Sequence, residues 1–282
     1  MTCGCSTFSQ QAVDSNVVRC RQHCQAGLEA ARRGNDASAL GTFAAAVESC
    51  PEDERARQLY AESLWSHGDE EAAIAQMVEA QRLSGGEPEA TVRLGQMYLA
   101  VGRIDQAEKA ATRAIASAPR MAEGWALEGD VLARREQADQ ALARYHRALA
   151  YRSDYPEVQF AVADLYGKQG RHTRALATLN ALSQQYEPNH IPQRLHVMRG
   201  RSYGVLGRHQ EAADEFSLAV KAAPPTAELL NELATALAAC GDTIAARMTA
   251  EHALSLQPEN PDAQQLLAQL RQPGTTPPRA IR

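Results

Sequence analysis

Residues 88–121, PEATVRLGQMYLAVGRIDQAEKAATRAIASAPRM, decide the fold because their spacing recurs through most of the chain. Pro88 suits the first turn of a helix, and the residues after it place apolar and small side chains, among them Gly95, on one helical face. Gly102 interrupts this pattern, and a second helix then runs until Pro119 stops it. The stretch therefore predicts two helices packed face to face.

Glycine and alanine residues that recur at fixed positions indicate seven such helical pairs in the chain. Steps of 34 residues from Gly102 reach glycine in both directions, with Glu136 as the exception and a shift of three residues before the last two copies. The fifth residue after this position is always alanine, and the seventh before it is always glycine or alanine. Such regularity predicts a helix–turn–helix repeat whose small residues let two helices approach closely. The two columns are Ala39, Ala73, Ala107, Ala141, Ala175, Ala212 and Ala246, and Gly27, Ala61, Gly95, Gly129, Ala163, Gly200 and Ala234.

The repeat frame sets the domain organisation. We expect a flexible arm over residues 1–15, a repeat domain over residues 16–271 that ends in a capping helix at residues 261–271, and a disordered tail over residues 272–282. Residues 190–192 form a three-residue insertion, interpreted either as an addition on the outer rim or as a hinge between five repeats and two. The seven repeats are residues 20–53, 54–87, 88–121, 122–155, 156–189, 193–226 and 227–260.

Composition sets the fold class and disfavours several functions. The chain has 282 residues, of which 44% are hydrophobic and only 5% aromatic, and alanine is abundant, so an all-α protein is predicted. The net charge is −5 and the basic residues are scattered, which disfavours binding to nucleic acid. No apolar run is long enough for a transmembrane segment. Three lysines against 26 arginines indicate a GC-rich genome, which is compatible with a bacterial source.

Residues of the third and sixth repeats resemble the tetratricopeptide repeat family. The matching residues are Leu94, Gly95, Tyr98, Ala107, Ala114 and Pro119, and Gly200, Tyr203, Ala212, Phe216, Ala219 and Pro224. The resemblance covers about 240 residues and implies a right-handed α-solenoid superhelix. It also implies a concave groove, lined mainly by the first helix of each repeat, that binds peptides or helices of partner proteins.

Transferring the groove positions of the family to this chain gives the candidate binding residues. Their mixture of apolar side chains and arginine favours an amphipathic or extended partner segment with apolar anchors and some acidic groups. A carboxylate clamp known in one variant of the family is not expected, because its positions hold Cys24, Gln58 and Val92 among others. Trp65 fills no packing column and is interpreted either as a groove anchor or as a residue packed against the next repeat. The candidates are Arg55, Gln58, Leu59, Glu62, Trp65, Val92, Arg93, Gln96, Leu99, Leu127, Asp130, Phe160, Asp164, Val197 and Arg201.

Catalysis has no recognisable residue pattern, so the leading hypothesis is a non-enzymatic scaffold or adaptor without a cofactor or metal. It would bind a partner protein or peptide and support the assembly of a multiprotein complex. Self-association is a further option. The sequence as written carries no export signal and indicates a cytoplasmic location.

Two alternatives start from the N-terminal cysteines. A cysteine followed by small polar residues resembles the start of a mature bacterial lipoprotein. If the true start lies upstream of Met1, the chain would be an exported, periplasmic or lipid-anchored assembly factor of a bacterial envelope. The weaker alternative is a metal or redox sensor, although the spacing is not a recognised zinc pattern. It would use Cys3, Cys5, Cys20, His23 and Cys24.

Overall fold

The computed structural model describes residues 5–270, with side chains from residue 15 onward. Every regular element in this part of the chain is an α-helix. The chain divides into two compact units, Met1–Tyr151 and Arg152–Arg282, which we call the N-terminal unit and the C-terminal unit.

Eight helices make up the described part of the N-terminal unit. Each odd-numbered helix packs against the even-numbered helix that follows it, so that each predicted repeat holds one such pair. The helices are α1 (Cys5–Arg32), α2 (Asp36–Ser49), α3 (Glu54–Ser66), α4 (Glu70–Leu83), α5 (Pro88–Ala100), α6 (Ile104–Ser117), α7 (Ala122–Arg134) and α8 (Ala138–Tyr151).

Seven helices make up the described part of the C-terminal unit. The insertion at residues 190–192 lies in the connection before α11, where Ile191 packs against a core cluster that contains Phe160 and Leu195. The boundary between the two units lies at Tyr151 and not at this insertion. The helices are α9 (Pro156–Lys168), α10 (His172–Ser183), α11 (Gln193–Val205), α12 (His209–Ala222), α13 (Ala227–Ala239), α14 (Thr243–Leu256) and α15 (Pro261–Leu270).

Helix starts are fixed by local capping residues. The side chains of Asp53, Asp69 and Asp242 each accept a hydrogen bond from a backbone N–H in the first turn of the following helix. Pro88 and Pro156 occupy the first position of α5 and α9, where a missing N–H is tolerated. These residues mark the starts of α3, α4, α5, α9 and α14.

The turn between the two helices of a repeat depends on a residue with positive φ. Gly102 has φ 77°, its N–H donates to the carbonyl of Leu99 at 3.2 Å, and the N–H of Arg103 donates to the carbonyl of Tyr98 at 2.8 Å. This is the hydrogen-bond pattern of a Schellman motif. Glu136 takes the same place between α7 and α8 with φ 61°, and it is the one non-glycine residue with positive φ among the described residues.

Close helix packing within a repeat requires the glycine column. A Cβ atom on Gly129 would lie 2.5 Å from Cε1 of Tyr145, and one on Gly200 would lie 2.7 Å from Cε1 of Phe216. Both aromatic rings are buried. The absence of a side chain on the first helix therefore creates the space that the ring of the second helix fills.

The structure corrects the expected arm. Helix α1 begins at Cys5, so residues 5–15 are helical instead of forming a flexible arm. The stretch contains neither glycine nor proline after Gly4, and its Gln and Ala residues favour a helix, which explains the early start. Residues 1–4 and the expected tail at 272–282 lie outside the described residues. None of the described helices combines the length and the apolar character that crossing a membrane requires.

Candidate functional site

An open cleft in the C-terminal unit is the first candidate site. It has a volume of about 740 Å³ and is formed chiefly by α11, α13 and α15. The apolar side chains of Phe216 and Leu266 are buried at its base. We call it the C-terminal cleft. Its polar and charged lining residues include Arg201, His209, Glu228, Asn231, Glu232, Thr235, Asp262, Gln265 and Gln269.

Spacing explains how these side chains come to share one surface. On α13 the lining residues Glu228, Asn231, Glu232 and Thr235 follow the i, i+3, i+4, i+7 spacing of one helical face. On α15, Asp262 begins the corresponding series exactly one repeat later in the frame. The cleft is therefore the first-helix surface of the last repeat and of the helix that follows it.

Arg201 forms the main ion-pair network of the C-terminal cleft. Its guanidinium donates to Glu232 through Nε at 2.9 and 3.1 Å and through Nη2 at 2.7 Å, and it also donates to Glu228 at 2.9 Å. The hydrogen bond to Glu232, with the charges of Glu232, Glu228 and Asp164, raises the pKa of Arg201 above its ordinary value. The arginine is therefore held by carboxylates of its own chain.

Asn231 and Asn260 fix α15 against α13. Asn231 Nδ2 donates to Asn260 Oδ1 at 2.7 Å, and the same oxygen accepts from the backbone N–H of Ala263 at 3.0 Å. Asn260 thereby caps the start of α15. The other side-chain atom of Asn231, Oδ1, is buried and has no hydrogen-bond partner among the described residues. This acceptor is enclosed by the protein.

A smaller cleft of about 330 Å³ lies in the N-terminal unit, between α3 and α5. We call it the N-terminal cleft. Five predicted groove residues line it, and the ion pair between Arg93 and Glu62 crosses it. These five are Arg55, Gln58, Leu59, Glu62 and Arg93.

Trp65 packs against the next repeat. Its half-buried ring contacts the cluster that contains Leu94 and Met97. Arg93 stands over the ring, with its Cζ atom 6.0 Å from the ring centroid. Of the two interpretations made from the sequence, the contact with the following repeat is the one that this geometry supports. Gln96, on the same helix as Arg93, is half-buried and does not line the cleft.

Four predicted groove residues are buried, which corrects their assignment. Val92, Leu99 and Leu127 belong to one core cluster, and Phe160 belongs to another. Leu127 occupies the space that a side chain at Gly95 would need. Because these positions lie at the edge between groove and core, a pattern of sequence positions cannot separate the two. Their role here is packing.

The remaining candidates are spread over both units. In the N-terminal unit Asp130 accepts a hydrogen bond from the hydroxyl of Tyr145 at 2.7 Å. In the C-terminal unit Asp164 pairs with Lys168 at 2.8 Å, and Val197 is half-buried against a core cluster. Only Arg201 of this group lines the C-terminal cleft.

Helix α15, predicted only as a capping helix, also lines the C-terminal cleft. Asp262, Gln265 and Gln269 form one wall of it. These residues lie 34 positions after Glu228, Asn231 and Thr235, so the 34-residue period alone would have indicated their place.

The surroundings of the α1 cysteines disfavour metal binding and thiol reactivity. Burial raises the pKa of the Cys20 thiol to about 12, with Cys24 and Asp53 adding unfavourable charge. Burial also raises the pKa of Cys24. The thiolate is the form that binds metals and reacts, so these environments disfavour both. Among the described side chains, no group of three or more His, Cys, Asp or Glu is arranged to hold a metal ion. Cys3 and the side chain of Cys5 lie outside the described part.

Comparison with solved structures shows the fold. A tetratricopeptide repeat protein from Parabacteroides merdae superposes with a TM-score of 0.63 at 14% identity, over 90% of this chain and 99% of that chain. The pilF protein of Pseudomonas aeruginosa superposes with a TM-score of 0.54 at 16% identity, over 90% of this chain and 99% of that chain. MamA from Desulfovibrio magneticus RS-1 superposes with a TM-score of 0.51 at 16% identity, over 59% of this chain and 94% of that chain. These likenesses confirm the all-helical repeat fold. No curated protein matches the chain.

Two family models, both described as tetratricopeptide repeat, match the sequence. One matches residues 24–88 and 92–139, and the other matches residues 132–195. Together they cover more than half of the chain. Repeats of this kind are generally non-catalytic scaffolds for protein–protein interaction. The chain belongs to the tetratricopeptide repeat family.

Proposed function

We propose that the protein is a non-enzymatic scaffold that binds a segment of a partner polypeptide in the C-terminal cleft and thereby supports the assembly of a protein complex. The observation that carries this proposal is the cleft itself, with its volume of about 740 Å³, its apolar base and its polar walls. Clefts that bind polypeptide segments combine buried apolar contacts with a polar rim in this way.

The repeat architecture supports a polypeptide ligand over a compact small molecule. Three successive first helices, α11, α13 and α15, present side chains to the cleft. Stacked repeats create extended binding surfaces of this kind, along which a chain segment can place successive side chains. The N-terminal cleft offers a second, smaller place for such contacts.

Site-specific photo-crosslinking tests the proposal in cells of the source organism. A photo-reactive amino acid would replace Thr235, which is exposed and lines the C-terminal cleft. The control would replace Ile244, which is 67% exposed on α14 and does not line the cleft. We expect Thr235 to crosslink to a defined segment of one or a few proteins that the Ile244 variant does not capture.

Mass spectrometry of the crosslinked peptides identifies the captured segment. Identical crosslinks from both positions would show that contact with the cleft is unspecific. No crosslinks at Thr235, with a normally folded variant, would remove the cleft as the binding surface.

A further inference from the structure

The charges of the C-terminal cleft do not balance. Three carboxylates line it, those of Glu228, Glu232 and Asp262, against the one guanidinium of Arg201 among the described lining residues. The formal charge of the lining is therefore −2, with histidine neutral. The N-terminal cleft differs, because its arginines and glutamates are equal in number.

Arg201 is already paired with carboxylates of its own chain. Glu232 accepts hydrogen bonds from its Nε and Nη2 atoms, and Glu228 accepts one from Nη2. An incoming carboxylate would meet this arginine beside two glutamates, whose negative charge opposes it. A ligand cation, in contrast, would be attracted by Glu228 and Glu232, which share the single arginine Arg201. It would also be attracted by Asp262, which forms no ion pair with another of the described residues.

The base of the cleft fits the apolar part of such a ligand. Phe216, Leu266 and neighbouring alanines form an apolar base that suits a single apolar side chain.

We infer that the C-terminal cleft takes a cationic polypeptide segment of a partner protein, with an apolar side chain on the base and lysine or arginine beside the carboxylates of Glu228, Glu232 and Asp262. The inference rests on the proposed function and names the chemistry of its ligand. It departs from the expectation from sequence that the partner carries acidic groups, because Arg201, one of the arginines behind that expectation, is paired with carboxylates of its own chain.

Selection from a random peptide library tests the inference with the full chain. Peptides that bind the parent protein but not a Val205→Trp variant are collected. Val205 is 58% exposed on the cleft, so a tryptophan there blocks the cleft without changing its charge. The matched control is Met248→Trp on α14, which is 63% exposed and lies outside the cleft. Circular dichroism verifies that both variants fold.

We expect the cleft-dependent peptides to carry lysine or arginine next to a large apolar residue. Replacing one such cation by glutamine should weaken binding about two- to fivefold, the range expected for one exposed ion pair. Asp262→Asn should weaken binding to a similar degree, and Glu251→Gln on α14, outside the cleft, should leave binding unchanged. The affinity should also fall as salt is added.

The outcomes separate the two claims. If no peptide depends on the cleft, the proposed function fails. If the cleft-dependent peptides are acidic or neutral, or are unaffected by Asp262→Asn, the cationic ligand is overturned while the proposed function stands. The chain's own Arg279 and Arg282 provide another source of cation. If changing both to glutamine raises peptide affinity, the chain occupies its own cleft and the assignment to a partner is overturned.

Discussion

A methyl group added at Gly129 should destabilise the N-terminal unit strongly. The Cβ atom of Gly129→Ala would lie 2.5 Å from Cε1 and 2.6 Å from Cδ1 of Tyr145. The ring of Tyr145 is only 2% exposed, and its hydroxyl donates to Asp130 at 2.7 Å. The ring cannot move away without disturbing both its packing and this hydrogen bond.

Opposing terms set the size of the effect. Alanine is favoured over glycine inside a helix by about 1 kcal/mol. Overpacking of a filled core costs about 1–3 kcal/mol, and a weakened hydrogen bond to a carboxylate about 1.5–3 kcal/mol more. The steric term exceeds the helix-propensity term. We therefore expect Gly129→Ala to lower the free energy of unfolding by about 2–4 kcal/mol.

Urea unfolding followed by far-UV circular dichroism and tryptophan fluorescence measures this change. The matched control is Gly41→Ala in α2 of the same unit, where an added Cβ has no neighbour within 4 Å. That variant should be more stable than the parent by about 0.5–1 kcal/mol. If both variants are equally stabilised, helix propensity alone governs the glycine column, and our explanation by close packing is refuted.

Three further predictions follow from single residues. Glu136→Gly should raise the free energy of unfolding by about 1 kcal/mol in urea, because φ 61° is strained for glutamate; a less stable variant would contradict this. Burial raises the pKa of Asp130 in the folded state, so its contribution to stability is present below its ordinary pKa of about 4 and is lost as the pH rises. Asp130→Asn should therefore gain stability relative to the parent between about pH 4 and pH 7, and a constant difference would be inconsistent with burial as the cause. Iodoacetamide should label Cys20 far more slowly than the exposed Cys240, as measured by mass spectrometry of peptides, and equal rates in the folded protein would revive a reactive site at α1.

Helix positions could be predicted from sequence because their causes are local. The turn at Gly102 needs a positive φ, and a capping residue such as Asp69 acts within four positions of its helix. The column of Gly129 reflects contact with its own partner helix, which repeats in every copy. Because such requirements recur in every repeat, they place the same residue types at a fixed spacing in the sequence.

Groove residues were harder to assign because burial depends on how neighbouring helices approach. Val92 and Leu127 occupy first-helix positions transferred from the family, yet both are buried. Their columns lie beside the core, so a small rotation of a helix decides between the two environments. Periodicity therefore shows which face of a helix is apolar, but it does not assign the residues at the edge of that face to groove or core.

The pairing of charged residues is hard to predict for a related reason. Counting residues gave Arg201 as a positive groove residue, but its partner Glu232 is 31 positions away, in the next repeat. Arg93 and Glu62 are separated by the same interval. Such pairs are one repeat apart less one helical turn, which brings them together across adjacent first helices. The number of arginines therefore overstated the positive charge that the groove offers.

Affinity of a peptide selected on the parent protein alone, measured for two matched variants, tests the central claim most directly. Fluorescence anisotropy would give Kd for the parent protein, for Val205→Arg in the C-terminal cleft and for Met248→Arg on the surface of α14. We predict that Val205→Arg weakens binding at least tenfold, or about 1.4 kcal/mol, while Met248→Arg leaves it unchanged. Equal affinity for all three proteins would contradict the account, since binding would not then take place in the C-terminal cleft.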